Sequence, residues 1–186
     1  MRRARAVARL ESMRAARHPL LLAALAALAG CGFQPLYGKV GQGPAVSEDL
    51  AAVKIDFIAN RSGQILRNYL LDGMTPRGEP QRSAWTLQVL LNEPRPQELG
   101  TASDGSIVRF AFNVRANFRL VEAANGRVAF QGNATSNSSY EVTTSQYASV
   151  ASRDNARDRV LEDVALDIRN QLAVFFRERR EARAAQ

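Results

Sequence analysis

The chain has 186 residues, 46% hydrophobic and 23% charged, with a formal net charge of +7, a length that suits a single domain. Its one Cys (Cys31) and one His (His18) exclude an internal disulfide and any zinc-type site built from several His or Cys ligands. Six of the 25 basic residues and one of the 18 acidic ones precede residue 31, so the remainder is nearly neutral and lacks the basic excess of a nucleic-acid protein.

The first 30 residues have the three parts of a secretory signal. Arg14, Arg17 and His18 precede Leu20 to Leu28, a run made only of Leu and Ala. Ala29 and Gly30 then lead into Cys31. The run is about half the ~20 apolar residues that a membrane-spanning helix needs. Leu28-Ala29-Gly30-Cys31 resembles the bacterial lipobox, which implies cleavage before Cys31 and a covalent S-diacylglycerol and N-acyl group on that residue. Residues 1–12 are superfluous to such a signal, and Met13 is the expected translation start. Several acyl chains anchor stably where one does not. Gly32, in place of Asp, points by analogy to the outer membrane.

Once residues 1–30 leave, no His and no free Cys remain. Ser-His-Asp and Cys-His catalysis are thereby excluded. Glu162, Asp163 and Asp167 cluster, but beside Arg159 and Arg169 in a helical pattern, which is the composition of a solvated, salt-bridged face.

Residues 31–49 are expected to be a lipidated tether, rich in Gly and Pro, with Phe33, Leu36 and Tyr37 apolar enough to pack in part. Val53, Ile55 and Phe57 alternate with polar residues and predict a strand with these three on its inner face. Ser62 is a plausible N-cap for a helix bearing Ile65, Leu66, Tyr69 and Leu70, ended by Gly73 and Pro76. Trp85, Leu87, Val89 and Leu91 predict a second strand that stops at Pro94. Arg95 to Gly105 reads as a polar, turn-rich connection.

The clearest pattern follows. Val108, Phe110, Phe112, Val114, Ala116, Phe118 and Leu120 alternate with Arg109, Asn113, Arg115, Asn117 and Arg119. Asn125-Gly126 suits a type I′ turn, and Val128, Phe130, Gly132 and Ala134 continue the apolar face on a return strand. From about Ser145 a long helix is predicted to about Arg180, with a stripe including Tyr147, Val150, Val160, Leu161, Val164, Ile168, Leu172, Phe175 and Phe176. Residues 178–186 form a charged tail. The expected α+β domain spans residues 50–177. Two helices on one face of a four-stranded mixed sheet, with a long antiparallel hairpin and a parallel pair made by the first strand–helix–strand, bury every stripe.

Gly32-Phe33-Gln34-Pro35-Leu36-Tyr37-Gly38, directly after the lipobox Cys, resembles the mature start of the LptE family of lipopolysaccharide-assembly lipoproteins. The segments Arg61 to Asn68, the long hairpin, and Ser145-Gln146-Tyr147-Ala148 before an Arg-rich helix extend the resemblance over nearly the whole mature chain. The resemblance implies a non-enzymatic protein with no cofactor, held at the periplasmic side of the outer membrane. It also implies two partners: an LptD-like β-barrel, which it plugs and helps assemble, and lipopolysaccharide. The row Arg109, Arg115, Arg119 and Arg127 is the candidate contact for lipopolysaccharide phosphates, since guanidinium groups make charge-assisted bonds with them. Arg153, Arg157 and Arg159 are the candidate barrel contact. Trp85, Phe110, Phe112 and Phe118 are read as core by their alternation. The competing expectation is an auxiliary lipoprotein of another envelope transport system.

Overall fold

The computed structural model describes residues 46–185 except 93, 102, 105 and 106. The signal segment, Met13, Cys31 and most of the tether therefore lie outside the described residues.

The described chain opens with helix α1 (Val46–Ala51), whose Val46 and Leu50 are buried. Strand β1 (Val53–Ile55) follows, with Val53 and Ile55 inward. The expected alternation fails at its next step. The β1 hydrogen bonding ends with the Asp56 amide donating to the Leu87 carbonyl 3.0 Å away. Beyond this point Ile58 turns inward and Phe57 is left 76% exposed. Helix α2 (Asn60–Met74) then begins two residues before the anticipated cap. Asn60 takes a positive φ of 67°, a conformation that Asn tolerates better than most residues. Ser62 is buried within the helix instead of capping it. The first turn seats so tightly on Ile58 that a Cβ on Gly63 would lie 2.8 Å from the Ile58 carbonyl oxygen.

Strand β2 (Trp85–Leu91) pairs in parallel with β1 through the α2 crossover, with Ile55 opposite Leu87. The stretch read as a polar connection contains strand β3 (Pro96–Thr101). Its residues are nearly all exposed, which hid it from any alternation test. Both β2 and β3 lie antiparallel along the same edge of strand β4 (Ile107–Glu122). They act as one broken strand, interrupted around Pro94 and restarted at Pro96. Proline cannot donate to a ladder, so a strand start at the sheet margin suits it. The opposite edge of β4 carries strand β5 (Val128–Glu141) along almost its full length. The sheet is therefore mixed, with five strands in four positions.

The β4–β5 hairpin is as expected, but its turn is not type I′. Of Asn125 and Gly126 only Gly126 has a positive φ, 71°. The Gly126 amide donates to the Glu122 carbonyl at 2.9 Å, and the Asn125 side chain accepts from the Arg127 amide at 2.9 Å. A register shift beside Leu120 accompanies this wider loop and leaves Val128 exposed.

Helix α3 (Gln146–Ala184) has 39 residues and is capped by the Ser145 hydroxyl, which accepts from the Ala148 amide at 3.4 Å. At 1.5 Å per residue it is about 58 Å long. Val160, Leu161, Val164, Ile168, Leu172 and Phe176 are buried, whereas Tyr147, 85% exposed, and Val150 precede the packed part. Helices α2 and α3 pack on one another, α3 on β4 and β5, and α2 on β1. One core unites them, centred on Ile55, Leu66, Leu87, Phe112, Leu120 and Ile168. Trp85, Phe110, Phe112 and Phe118 all belong to it or pack against it, as their alternation required. Gly132 marks the tightest approach: a Cβ there would meet the Phe118 ring at 2.7 Å and the Gln171 side-chain oxygen at 2.6 Å.

Candidate functional site

The pleat sends Phe112, Val114, Ala116, Phe118 and Leu120 of β4 under the helices and Asn113, Arg115, Asn117 and Arg119 to the other face, where they are exposed. The register sets Asn113 opposite Asn137, Arg115 opposite Thr135, Asn117 opposite Asn133 and Arg119 opposite Gln131. On the other edge Arg119 faces Gln88 and Asn117 faces Leu90. The result is a broad face of uncharged amides and hydroxyls with a few guanidinium groups set into it. Arg115 and Arg119 are four residues apart on one strand, about 14 Å at the rise of an extended chain.

The four candidate arginines differ in their surroundings. Arg109 is bound to Glu141 on the neighbouring strand at 2.5 Å, so its charge is offset. Arg119 donates through Nε to Gln88 Oε1 at 2.7 Å, and Gln88 Nε2 donates to Asp56 Oδ2 at 3.1 Å. This relay fixes the guanidinium plane. Arg115 is exposed and has no side-chain partner among the described residues. It borders a polar groove of about 310 Å³ formed with Asn92, Asn113, Thr135 and Asn137. Arg127 is separated from the row by the register shift and sits at the hairpin loop. There the Glu122 carboxyl is held below its ordinary pKa, first by a 2.7 Å hydrogen bond from Asn125 Nδ2, then by the Arg179 guanidinium 3.3 Å away, and least by the charge of Arg127.

The three helix arginines do not share a face. Arg153 and Arg157 both reach Asp154 Oδ1 at 3.4 Å. The Arg157 guanidinium also lies over the Phe112 ring, 5.6 Å from its centroid. Burial pushes the Tyr140 phenol above its usual pKa, while the charges of Arg153 and Arg157 act the other way. Arg159 is turned about 120° from Arg153 and about 160° from Arg157 by helical geometry. It is exposed, with no side-chain partner among the described residues. Of the carboxylates further along, Asp163 accepts from Ser136 at 3.1 Å and Asp167 from Gln171 at 3.1 Å. No group of three potential metal ligands occurs among the described residues.

Two apolar residues on the polar face were not among the candidate site residues, and Phe57 was expected on the inner face of β1. Phe57 and Leu90 are 76% and 69% exposed. Both line a shallow groove of about 580 Å³ together with Asp56, Gln88, Asn117 and Arg119. Leu90 was legible, because an apolar residue stands where the alternation of β2 assigns a polar one. Phe57 was not, because it alternates correctly with Val53 and Ile55 and only the end of β1 turns it out. A second cleft, about 420 Å³, lies between α1 and the end of α2 and is lined by Leu50, Met74, Pro76, Arg77 and Arg169. Ser47, Glu48 and Thr75 supply its hydroxyl and carboxylate groups.

No helix among the described residues is long and apolar enough to cross a membrane. What the open sheet face can do chemically is bind. It offers donors and acceptors for hydroxyl groups, guanidinium groups for anions, and an apolar shelf beside one of them.

A family model described as "LptE: Lipopolysaccharide-assembly" matches residues 50–172. No curated protein matches the chain. Among solved structures, a lipoprotein from Caulobacter crescentus CB15 is similar at 24% identity and a TM-score of 0.61, covering 72% of this chain and 96% of that one. It shares the fold. An uncharacterized lipoprotein B from Nitrosomonas europaea matches at 16% identity and a TM-score of 0.48, over 67% of this chain and 81% of that one. The rare lipoprotein B from Shewanella oneidensis matches at 11% identity and 0.39, over 72% and 95%.

Proposed function

The chain belongs to the LptE family of lipopolysaccharide-assembly proteins, and on that premise we propose that it is a non-enzymatic outer-membrane lipoprotein that binds lipopolysaccharide and plugs an LptD-type β-barrel. Cys31 carries the acyl and diacylglyceryl groups that hold it on the periplasmic side. The observation that carries the lipopolysaccharide assignment is the open face of the sheet, with Arg115 unpartnered among the described residues and Arg119 fixed by Gln88. Phosphorylated sugars present anionic oxygens and many hydroxyl groups. Guanidinium groups bind the first bidentately, and side-chain amides both donate to and accept from the second. Arg109 is held by Glu141 and contributes less. Of the helix arginines, Arg159 is the best placed to meet a barrel wall, since Arg157 is engaged with Phe112.

The test has two parts. Replacing Arg115 and Arg119 by Glu is expected to weaken lipopolysaccharide binding at least about tenfold, since each lost charge-assisted bond costs ~1.5–3 kcal/mol. Unchanged affinity in a folded variant defeats the lipopolysaccharide assignment. Pull-down from outer membranes is expected to recover a large heat-modifiable β-barrel. Recovery of the protein alone, or with a permease, replaces this function by that of an accessory to a different envelope transporter.

A further inference from the structure

We infer that the groove formed by Phe57 and Leu90 beside Arg119 is a subsite for one fatty acyl chain of the bound anionic glycolipid, an assignment that rests on the lipopolysaccharide reading above and adds to it the place of the lipid portion. An exposed Phe and an exposed Leu that share one groove on an otherwise amide-rich face are out of keeping with their surroundings. Scattered apolar residues are ordinary on a protein surface. An apolar shelf joined to a fixed cation is a different arrangement, because one ligand must satisfy both halves.

The groove is divided accordingly. Phe57 and Leu90 form its apolar half, and Gln88, Asn117 and Arg119 its polar half. Asp56, the acidic member of the lining, accepts from Gln88, which in turn accepts from Arg119, so the carboxylate is tied into a relay and does not stand alone against an anion. Arg115 continues the cationic row two residues beyond Asn117. An acyl chain lying on Phe57 and Leu90 places its attached sugar over Asn117, with phosphate groups within reach of Arg119 and Arg115. A purely polar oligosaccharide leaves the shelf wet, and a purely apolar partner leaves Arg119 desolvated without a counter-charge, which is costly. An anionic amphiphile meets both requirements.

The experiment uses the mature lipoprotein held in amphipol. Affinities are measured for lipopolysaccharide and for the same molecule stripped of its acyl chains but still phosphorylated. The native protein is expected to prefer the acylated form at least about tenfold, the scale of burying part of a Phe and a Leu. Phe57→Ser with Leu90→Ser is expected to bring the acylated form down to the affinity of the stripped one and to leave the stripped form's affinity unchanged. Phe57→Leu, which keeps the shelf apolar, is expected to keep the preference. Both positions are exposed, and an unchanged unfolding midpoint checks that the double variant is folded. If that variant retains the preference, the acyl chain lies elsewhere and the inference fails while the lipopolysaccharide reading stands. If it retains the preference but loses co-purification with the barrel, the shelf belongs to the barrel contact and the inference is overturned. If the native protein binds neither form, the lipopolysaccharide reading falls and takes the subsite with it.

Discussion

Removing the Phe112 ring is the sharpest test of how the arginine-bearing stretch of α3 is held. Phe112 is fully buried, stacked on Tyr140 with centroids 5.6 Å apart, and overlain by the Arg157 guanidinium at 5.6 Å. Phe112→Ala forfeits the buried ring and leaves a cavity, together about 3–5 kcal/mol. For a domain whose whole stability is of order 5–15 kcal/mol this is a large share. Arg157→Ala loses the cation–π contact, about 0.5–1 kcal/mol for a partly exposed pair, and the 3.4 Å pairing with Asp154, which at this exposure adds about 0–1 kcal/mol. Because the two residues touch, the double variant should be less destabilised than the sum of the singles by about the cation–π contribution. Urea unfolding followed by circular dichroism measures all three. With a slope of about 2 kcal/mol per molar urea, the Phe112→Ala midpoint should fall by about 2 M. A fall below about 0.5 M, or strict additivity with Arg157→Ala, would refute the argument that Arg157 is occupied as a strap over the core.

Gly132→Val should destabilise by about 1–3 kcal/mol through overpacking, because the new Cβ meets the Phe118 ring at 2.7 Å and only displacement of that buried ring makes room; a thermal midpoint within a degree of the native protein's contradicts it. Glu122 gives a pH signature. Its folded pKa lies below its ordinary value, chiefly through Asn125, so its contribution is complete above the unfolded pKa and is lost as pH falls through the folded one. Stability measured from pH 6 downward should therefore decline less steeply in Glu122→Gln than in the native protein, and identical acid limbs count against this pairing.

The elements were largely legible because their apolar residues recur at the period of the structure they form. The hairpin is the plainest case: six alternate residues of β4, from Phe110 to Leu120, all went beneath the helices. The stretch from Val160 to Phe176 did the same at helical spacing. Strand β3 was missed because an exposed strand needs no apolar alternation, and Leu99, itself exposed, is the one large apolar side chain in its Pro-Gln-Glu-Leu-Gly-Thr sequence. The candidate site was legible as a row of arginines. Their unequal availability was not, since it depends on which strand lies alongside and in what register.

The sequence by itself determined the family resemblance, the strand–helix–strand and hairpin order, and the division of β4 into an apolar and an arginine-bearing face, because these are properties of neighbours along the chain. Only the tertiary structure decided that Arg109 is matched by Glu141 32 residues away, that Arg119 is held by Gln88, and that Arg157 is laid across Phe112. It also decided that Phe57 faces outward, since a one-residue end to β1 reverses which side chain enters the core. Pairing across strands and the exit of a chain from a sheet are set by packing between distant segments, and local periodicity holds no record of them.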